Sequence, residues 1–121
     1  MTRHPALAAI SLVAAISLIT VGNAAGVVRP TLVGTVGPGF DISLRQGGRL
    51  VRTLRAGSYR LTVHDRSRIH DFHLIGPGVN RVVTSVGFRG TKTITVTLKP
   101  GRYRYICDPH AFVMHGRFRV T

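Results

Sequence analysis

Residues 91–98 read Thr-Lys-Thr-Ile-Thr-Val-Thr-Leu, so that Ile94, Val96 and Leu98 alternate with threonines. Successive side chains of a β-strand point to opposite faces, and a period of two therefore makes one apolar face and one hydroxylated face. The same period returns at Phe40, Ile42 and Leu44, at Tyr59, Leu61 and Val63, at Tyr103, Tyr105 and Cys107, and at Phe118 and Val120. Turn signals stand between these segments: Gly37-Pro38-Gly39, Gln46-Gly47-Gly48, Ala56-Gly57, Gly76-Pro77-Gly78 and Lys99-Pro100-Gly101. Helical periodicity is missing from everything after the N-terminal run. Short strands at this spacing predict an all-β domain closed as a sandwich or barrel.

In chain order the pattern predicts strands over 31–36, 40–44, 50–54, 59–64, 69–75, about 81–86, 91–98, 103–107 and 117–120, with a polar loop at 65–68. Leu54-Arg55-Ala56-Gly57-Ser58-Tyr59-Arg60 also resembles Leu98-Lys99-Pro100-Gly101-Arg102-Tyr103-Arg104. That similarity is either a chance pair of turns or a repeated device.

A chain of 121 residues holds one domain. Before it, Arg3 and His4 precede an apolar run over 6–21, and Gly22-Asn23-Ala24 offers small residues for cleavage. This is the layout of a secretory signal peptide. The run is shorter than the roughly 20 residues that span a bilayer. The expectation is a signal peptide over 1–24, or an uncleaved anchor, followed by a single domain over 25–121. The domain is then exported (periplasmic, cell-surface or secreted), touching a membrane only if the leader stays attached.

The domain carries sixteen bases against four acids, Asp41, Asp65, Asp71 and Asp108, a formal charge of +12 with no glutamate. Such a surface attracts acidic proteins or polyanions over long range. Its arginines are spread along the strands, and the tyrosines among them, Tyr103 and Tyr105, fall on the opposite face. Nucleic-acid platforms need aromatics exposed among the cations, so a specific nucleic-acid partner is not expected. A lone cysteine in an exported chain makes no internal disulfide and is reactive, intermolecular or a metal ligand.

Cys107 ends an inward-facing tyrosine strand, and Asp108-Pro109 breaks the ladder there because proline has no N–H to donate. His110 can then turn back beside the sulfur, and Met114 follows on the same loop. Thiolate, imidazole and thioether form a soft donor set suited to copper. A trigonal site needs a second imidazole. By parity His64 faces out with Arg60 and His73 shares the Asp71 face, whereas His70 shares a face with Phe72 and Leu74. His70 is therefore the expected partner, unless a bulge shifts the register. His115 lies next to Met114 on that loop. Asp108 is read as turn chemistry. Cys107 and His110 could also form a nucleophile pair, but no orienting asparagine or oxyanion donor accompanies them, and the chain is not expected to be an enzyme.

Cys107-x-x-His110 with Met114-x-Gly116, joined to His70-Asp71-Phe72 upstream, resembles the ligand segments of the cupredoxins, the plastocyanin, pseudoazurin and amicyanin group. The resemblance runs from about Leu50 to Val120. It implies a Greek-key β-sandwich holding one type 1 copper ion, with His70, Cys107 and His110 equatorial and Met114 axial, His115 competing with Met114 as the fourth ligand. Two departures bear on the site. Three residues separate His110 from Met114, where plastocyanin-like loops have four and amicyanin-like loops two. Asp71 also stands where an asparagine is usual. The function implied is that of an exported, monomeric one-electron carrier, and the redox partner protein expected for it is acidic in surface. The alternatives are a copper-buffering or delivery protein without redox turnover, and a copper-free sandwich for adhesion or polyanion binding.

Overall fold

The structure is a computed structural model and describes residues 1–22 and 26–121. Ten strands form among the described residues: β1 (Thr31–Val36), β2 (Ile42–Gln46), β3 (Arg49–Leu50), β4 (Thr53–Leu54), β5 (Gly57–Asp65), β6 (Phe72–Gly76), β7 (Val79–Thr84), β8 (Gly90–Leu98), β9 (Gly101–Ile106) and β10 (His115–Val120). A single 3-10 turn, Asp108–His110, sits between β9 and β10. The first sheet has the order β3-β2-β1-β5-β8 and the second β4-β10-β9-β6-β7. Pairings are antiparallel apart from β1 with β5 and β10 with β4. The chain crosses repeatedly from one sheet to the other, and the two sheets face each other as the all-β sandwich that the alternation implied.

The inner faces supply the core. Leu32, Leu44, Leu61, Val63, Phe72, Leu74 and Leu98 are buried, and the rings of Phe72 and Tyr105 stack at 5.7 Å, those of Tyr103 and Phe118 at 5.1 Å. Gly34 on β1 makes room for this, since a Cβ there would lie 2.8 Å from the Phe72 ring. The two similar turns build one device twice. The Tyr59 hydroxyl donates to the Arg55 carbonyl at 2.7 Å, and that of Tyr103 to the Lys99 carbonyl at 2.8 Å. Each ring thus reaches back four residues to pin the turn that precedes its strand, in the manner of a tyrosine corner.

Several expected elements differ. The strand expected over 50–54 is two short pieces, β3 and β4, on different sheets, because the chain crosses between them here. The strand expected from 69 starts at Phe72, and Ile69 lies exposed in the preceding loop. β7 begins at Val79, two residues before the expected start, directly after the Pro77-Gly78 turn. Asp65 is the last, buried residue of β5, where its carboxylate accepts the Ser67 N–H. Residues 1–22 form no helix or strand and expose their apolar side chains. Of the expected cleavage point Gly22-Asn23-Ala24, Asn23 and Ala24 lie outside the described residues. Among the described residues no helix is long and apolar enough to cross a membrane.

Candidate metal centre

At one end of the sandwich three segments converge: the β5–β6 loop, the turn after β9, and the β1–β2 loop. The first carries His70, which is fully buried, its backbone N–H held by the Ser67 carbonyl. Gly37 on the β1–β2 loop leaves space for that ring. A Cβ there would lie 3.2 Å from His70 and 2.9 Å from Ser67, on a backbone with φ of +71°. The second segment carries Cys107, fully buried at the end of β9, and His110, half-buried on the 3-10 turn. The turn holds itself together by backbone bonds. Cys107 N–H donates to the Met114 carbonyl at 3.0 Å, His110 N–H to the Cys107 carbonyl at 3.0 Å, and Met114 N–H to the His110 carbonyl at 2.8 Å.

These segments bring three donor atoms into a small triangle. His70 Nδ1 lies 3.1 Å from His110 Nδ1 and 3.6 Å from Cys107 Sγ, which is 3.5 Å from His110 Nδ1. The centre of such a triangle is about 2 Å from every corner, close to the lengths of metal–imidazole and metal–thiolate bonds. Burial pushes the Cys107 thiol upward from its ordinary value, so a cation in the triangle has to displace the thiol proton. His70, Cys107 and His110 fit a type 1 copper site, two imidazoles and a thiolate in one plane.

The two remaining donors on the turn differ in exposure. Met114 is fully buried, while His115 is exposed and its Nδ1 donates to the Ala111 carbonyl at 2.8 Å. His64 binds Thr91 Oγ1 at 3.0 Å on the outer face of the first sheet. His73 pairs with Asp108 at 2.9 Å and with Asn80, away from the triangle. Sequence reasoning gave Asp108 only a turn role, and it has this partner as well.

Asp71 and Phe40 complete the surroundings. The buried Asp71 carboxylate accepts the Asp108 N–H at 2.6 Å, bridging the His70 and Cys107 segments. Burial, reinforced by the neighbouring Asp108 carboxyl, lifts Asp71 to about 6. Burial also works to raise Asp108, but its Asp71 and His73 contacts outweigh that and hold it below its ordinary value. Alternation places Phe40 in a strand; in the structure it precedes β2 and sets its ring edge-on to His110 at 4.9 Å and to His70 at 5.4 Å. No local signal marks that role, because the imidazoles it meets are remote in sequence.

Solved structures share this architecture. The chain is similar to the copper protein rusticyanin, with a TM-score of 0.53 and 20% identity over 75% of this chain and 76% of that one. Rusticyanin from Thiobacillus ferrooxidans gives 0.52 and 23% over 75% and 76%, and its Met148Gln mutant 0.54 and 21% over 75% and 76%. The chain has the cupredoxin fold. No family model matches it, and no curated protein matches it by sequence. Within that fold the donor triangle of His70, Cys107 and His110 lies at the end of the paired strands β6 and β9.

Proposed function

We propose that this chain is an exported one-electron carrier whose copper would be held by His70, Cys107 and His110, with Met114 as the fourth donor. The observation that carries the reading is the 3.1–3.6 Å triangle of two imidazole nitrogens and one thiol sulfur, assembled from two separate segments. Bound copper would supply a Cu(I)/Cu(II) couple. The chain's own residues do the rest. The backbone bonds of the Cys107–Met114 turn hold the donors in place, and the surrounding β-scaffold resists rearrangement between oxidation states. His70 and Cys107 are sealed from water, and Phe40 stands over both imidazoles. His110, the half-exposed donor, offers the shortest way out for an electron.

Export is supported by the apolar run over 6–21 and its basic flank, with 1–24 as the leader and 25–121 as the functional domain. A charge of +12 on that domain favours a redox partner with an acidic surface. Cys107 Sγ and His110 Nδ1 are 3.5 Å apart, as a nucleophile pair would be. The sulfur, however, is fully buried and shared with the His70 imidazole, so the reading is that of a carrier, not an enzyme.

One equivalent of Cu(II) added to the chain should produce an intense visible thiolate-to-copper band and a narrow copper hyperfine splitting. Repeated chemical reduction and reoxidation should bleach and restore the band without loss of metal. An ordinary tetragonal copper signal would sink the ligand assignment. A proper band that does not return on reoxidation would favour copper buffering over electron transfer.

A further inference from the structure

The outer faces of the two sheets differ in kind. On the first, hydroxyls pair across β5 and β8: Ser58 with Thr97 at 3.1 Å and Thr62 with Thr93 at 3.0 Å. On the second, the register of β9 and β10 sets Arg104 directly opposite Arg117 and Arg102 directly opposite Arg119. All four are exposed, and so is Arg52, whose carbonyl accepts the Arg119 N–H at 2.9 Å and which extends the lower row. Like charges placed opposite each other across a strand pair are destabilising, and here two such pairs follow in succession. Among the described residues no carboxylate forms an ion pair with any of the five, and none of their guanidiniums donates a hydrogen bond to a protein acceptor. Shallow depressions of about 270 Å³ and 310 Å³ lie among them, the first bordered by Arg102, Arg104 and Arg117, the second by Arg52, Arg102, Arg117 and Arg119.

We propose that this face binds a linear phosphate polymer, one phosphoryl group lying at each arginine row. Two residues along a strand advance about 6.7 Å, which sets the distance between rows. Within a row the facing Cβ atoms are about 5 Å apart, so that two planar forks grip one oxyanion from both sides. Guanidinium matches phosphate in bidentate geometry, which an ammonium does not. The strip is two strands wide and runs along them, a shape for a narrow chain; a stable protein interface takes about 800 Å² from each partner. The aromatics of the two strands, Tyr103, Tyr105 and Phe118, all point inward and are buried. Only Phe112, on the loop at the upper end, is exposed nearby. Bases would therefore find no stacking platform along the strip, and the polymer is one whose phosphates alone make the contact.

The experiment titrates the full-length chain with inorganic polyphosphate over a series of salt concentrations. Two neutralised phosphates, one at each row, give a slope of about −1.4 in log affinity against log salt, a loss of roughly sevenfold between 50 and 200 mM. R102Q/R119Q should cut that slope by about half, and R102K/R119K should weaken binding at an unchanged slope. R60Q/K92Q removes the same charge from the other sheet and should leave the slope intact. The idea is overturned if both glutamine pairs weaken binding equally, which would mean diffuse attraction. It is overturned too if polyglutamate or a sulfated polysaccharide binds as tightly as polyphosphate. Because removing facing arginines relieves repulsion, the glutamine pair should melt no lower than the parent chain.

Discussion

The Asp71 carboxylate accepts the backbone N–H of Asp108 at 2.6 Å and so joins the segment carrying His70 to the turn carrying Cys107. The residue types at its two ends matter less than the acceptor itself. An asparagine carbonyl at 71 would accept the same N–H, whereas Asp71→Ala leaves a donor without a partner next to the site. The alanine change should cost about 1–3 kcal/mol, read as a lower midpoint in denaturant, and Asp71→Asn should cost much less. Equal losses for the two variants would show that the bond does not tie the segments.

Asp71 also gives the metal-free chain a pH signature. Its folded value, about 6, lies above the ordinary 3.8. The folded state therefore holds the proton more tightly than the unfolded one. Asp71 contributes stability that is complete below about pH 4 and lost as the pH rises through about 6. The difference in unfolding free energy between the parent chain and Asp71→Asn should change across that window and be flat above it. A difference that is flat from pH 4 to 7 would contradict the assignment.

How much of this was legible beforehand depends on whether a feature is local. Parity over Tyr103, Tyr105 and Cys107 holds because each residue's face follows from its neighbours. Parity over His70, Phe72 and Leu74 also reaches the buried side, though His70 precedes the strand and β6 shifts register between Phe72 and His73. The extra residue of that bulge, Val83, is on β7, so the alternation of β6 and the side of His70 are unchanged. Phe40, the Asp71–Asp108 bond and the division of 50–54 between two sheets were not legible. Each depends on which distant segments meet, and alternation carries no information about that. The tyrosine turns stood between these cases: the repeated letters were visible, and only the structure shows that both hydroxyls perform the same bond.

Those hydroxyls differ in load. The Tyr103 oxygen meets the Lys99 N–H at 2.9 Å, the Lys99 carbonyl at 2.8 Å and the Pro77 carbonyl at 3.0 Å, while that of Tyr59 has the Arg55 carbonyl at 2.7 Å. Tyr103→Phe leaves several backbone groups short of a partner and should cost about 2 kcal/mol; Tyr59→Phe should cost about 1 kcal/mol. Thermal melts of the two variants decide it, and a reversed order would mean that the Tyr103 turn finds water as a substitute.

Gly37→Ala tests the packing of His70. The new Cβ would sit 3.2 Å from the imidazole and 2.9 Å from the Ser67 Cβ, on a backbone at φ +71° that alanine adopts only at a cost. A loss of about 1–2 kcal/mol is expected, together with weaker copper uptake and a broadened copper spectrum as His70 is pushed aside. Full stability with an unchanged spectrum would mean that the β1–β2 loop moves freely and does not position the ring.

Phe40→Ala separates covering from ligation. Phe40 is 61% exposed, so its removal should change stability by less than about 1 kcal/mol. Its ring nevertheless stands over both imidazoles, and none of the proposed donors is touched by the change. Water reaching the site favours the more highly charged Cu(II), so the reduction potential should fall while the thiolate band persists. Met114→Leu should move the potential the other way, since a hydrocarbon offers Cu(II) no donor, and His115→Ala should leave it where it was. Potentials measured by redox titration of the three variants distinguish these roles. If His115→Ala shifted the potential and Met114→Leu did not, the axial donor would be the histidine, and the turn would have to open to bring it in.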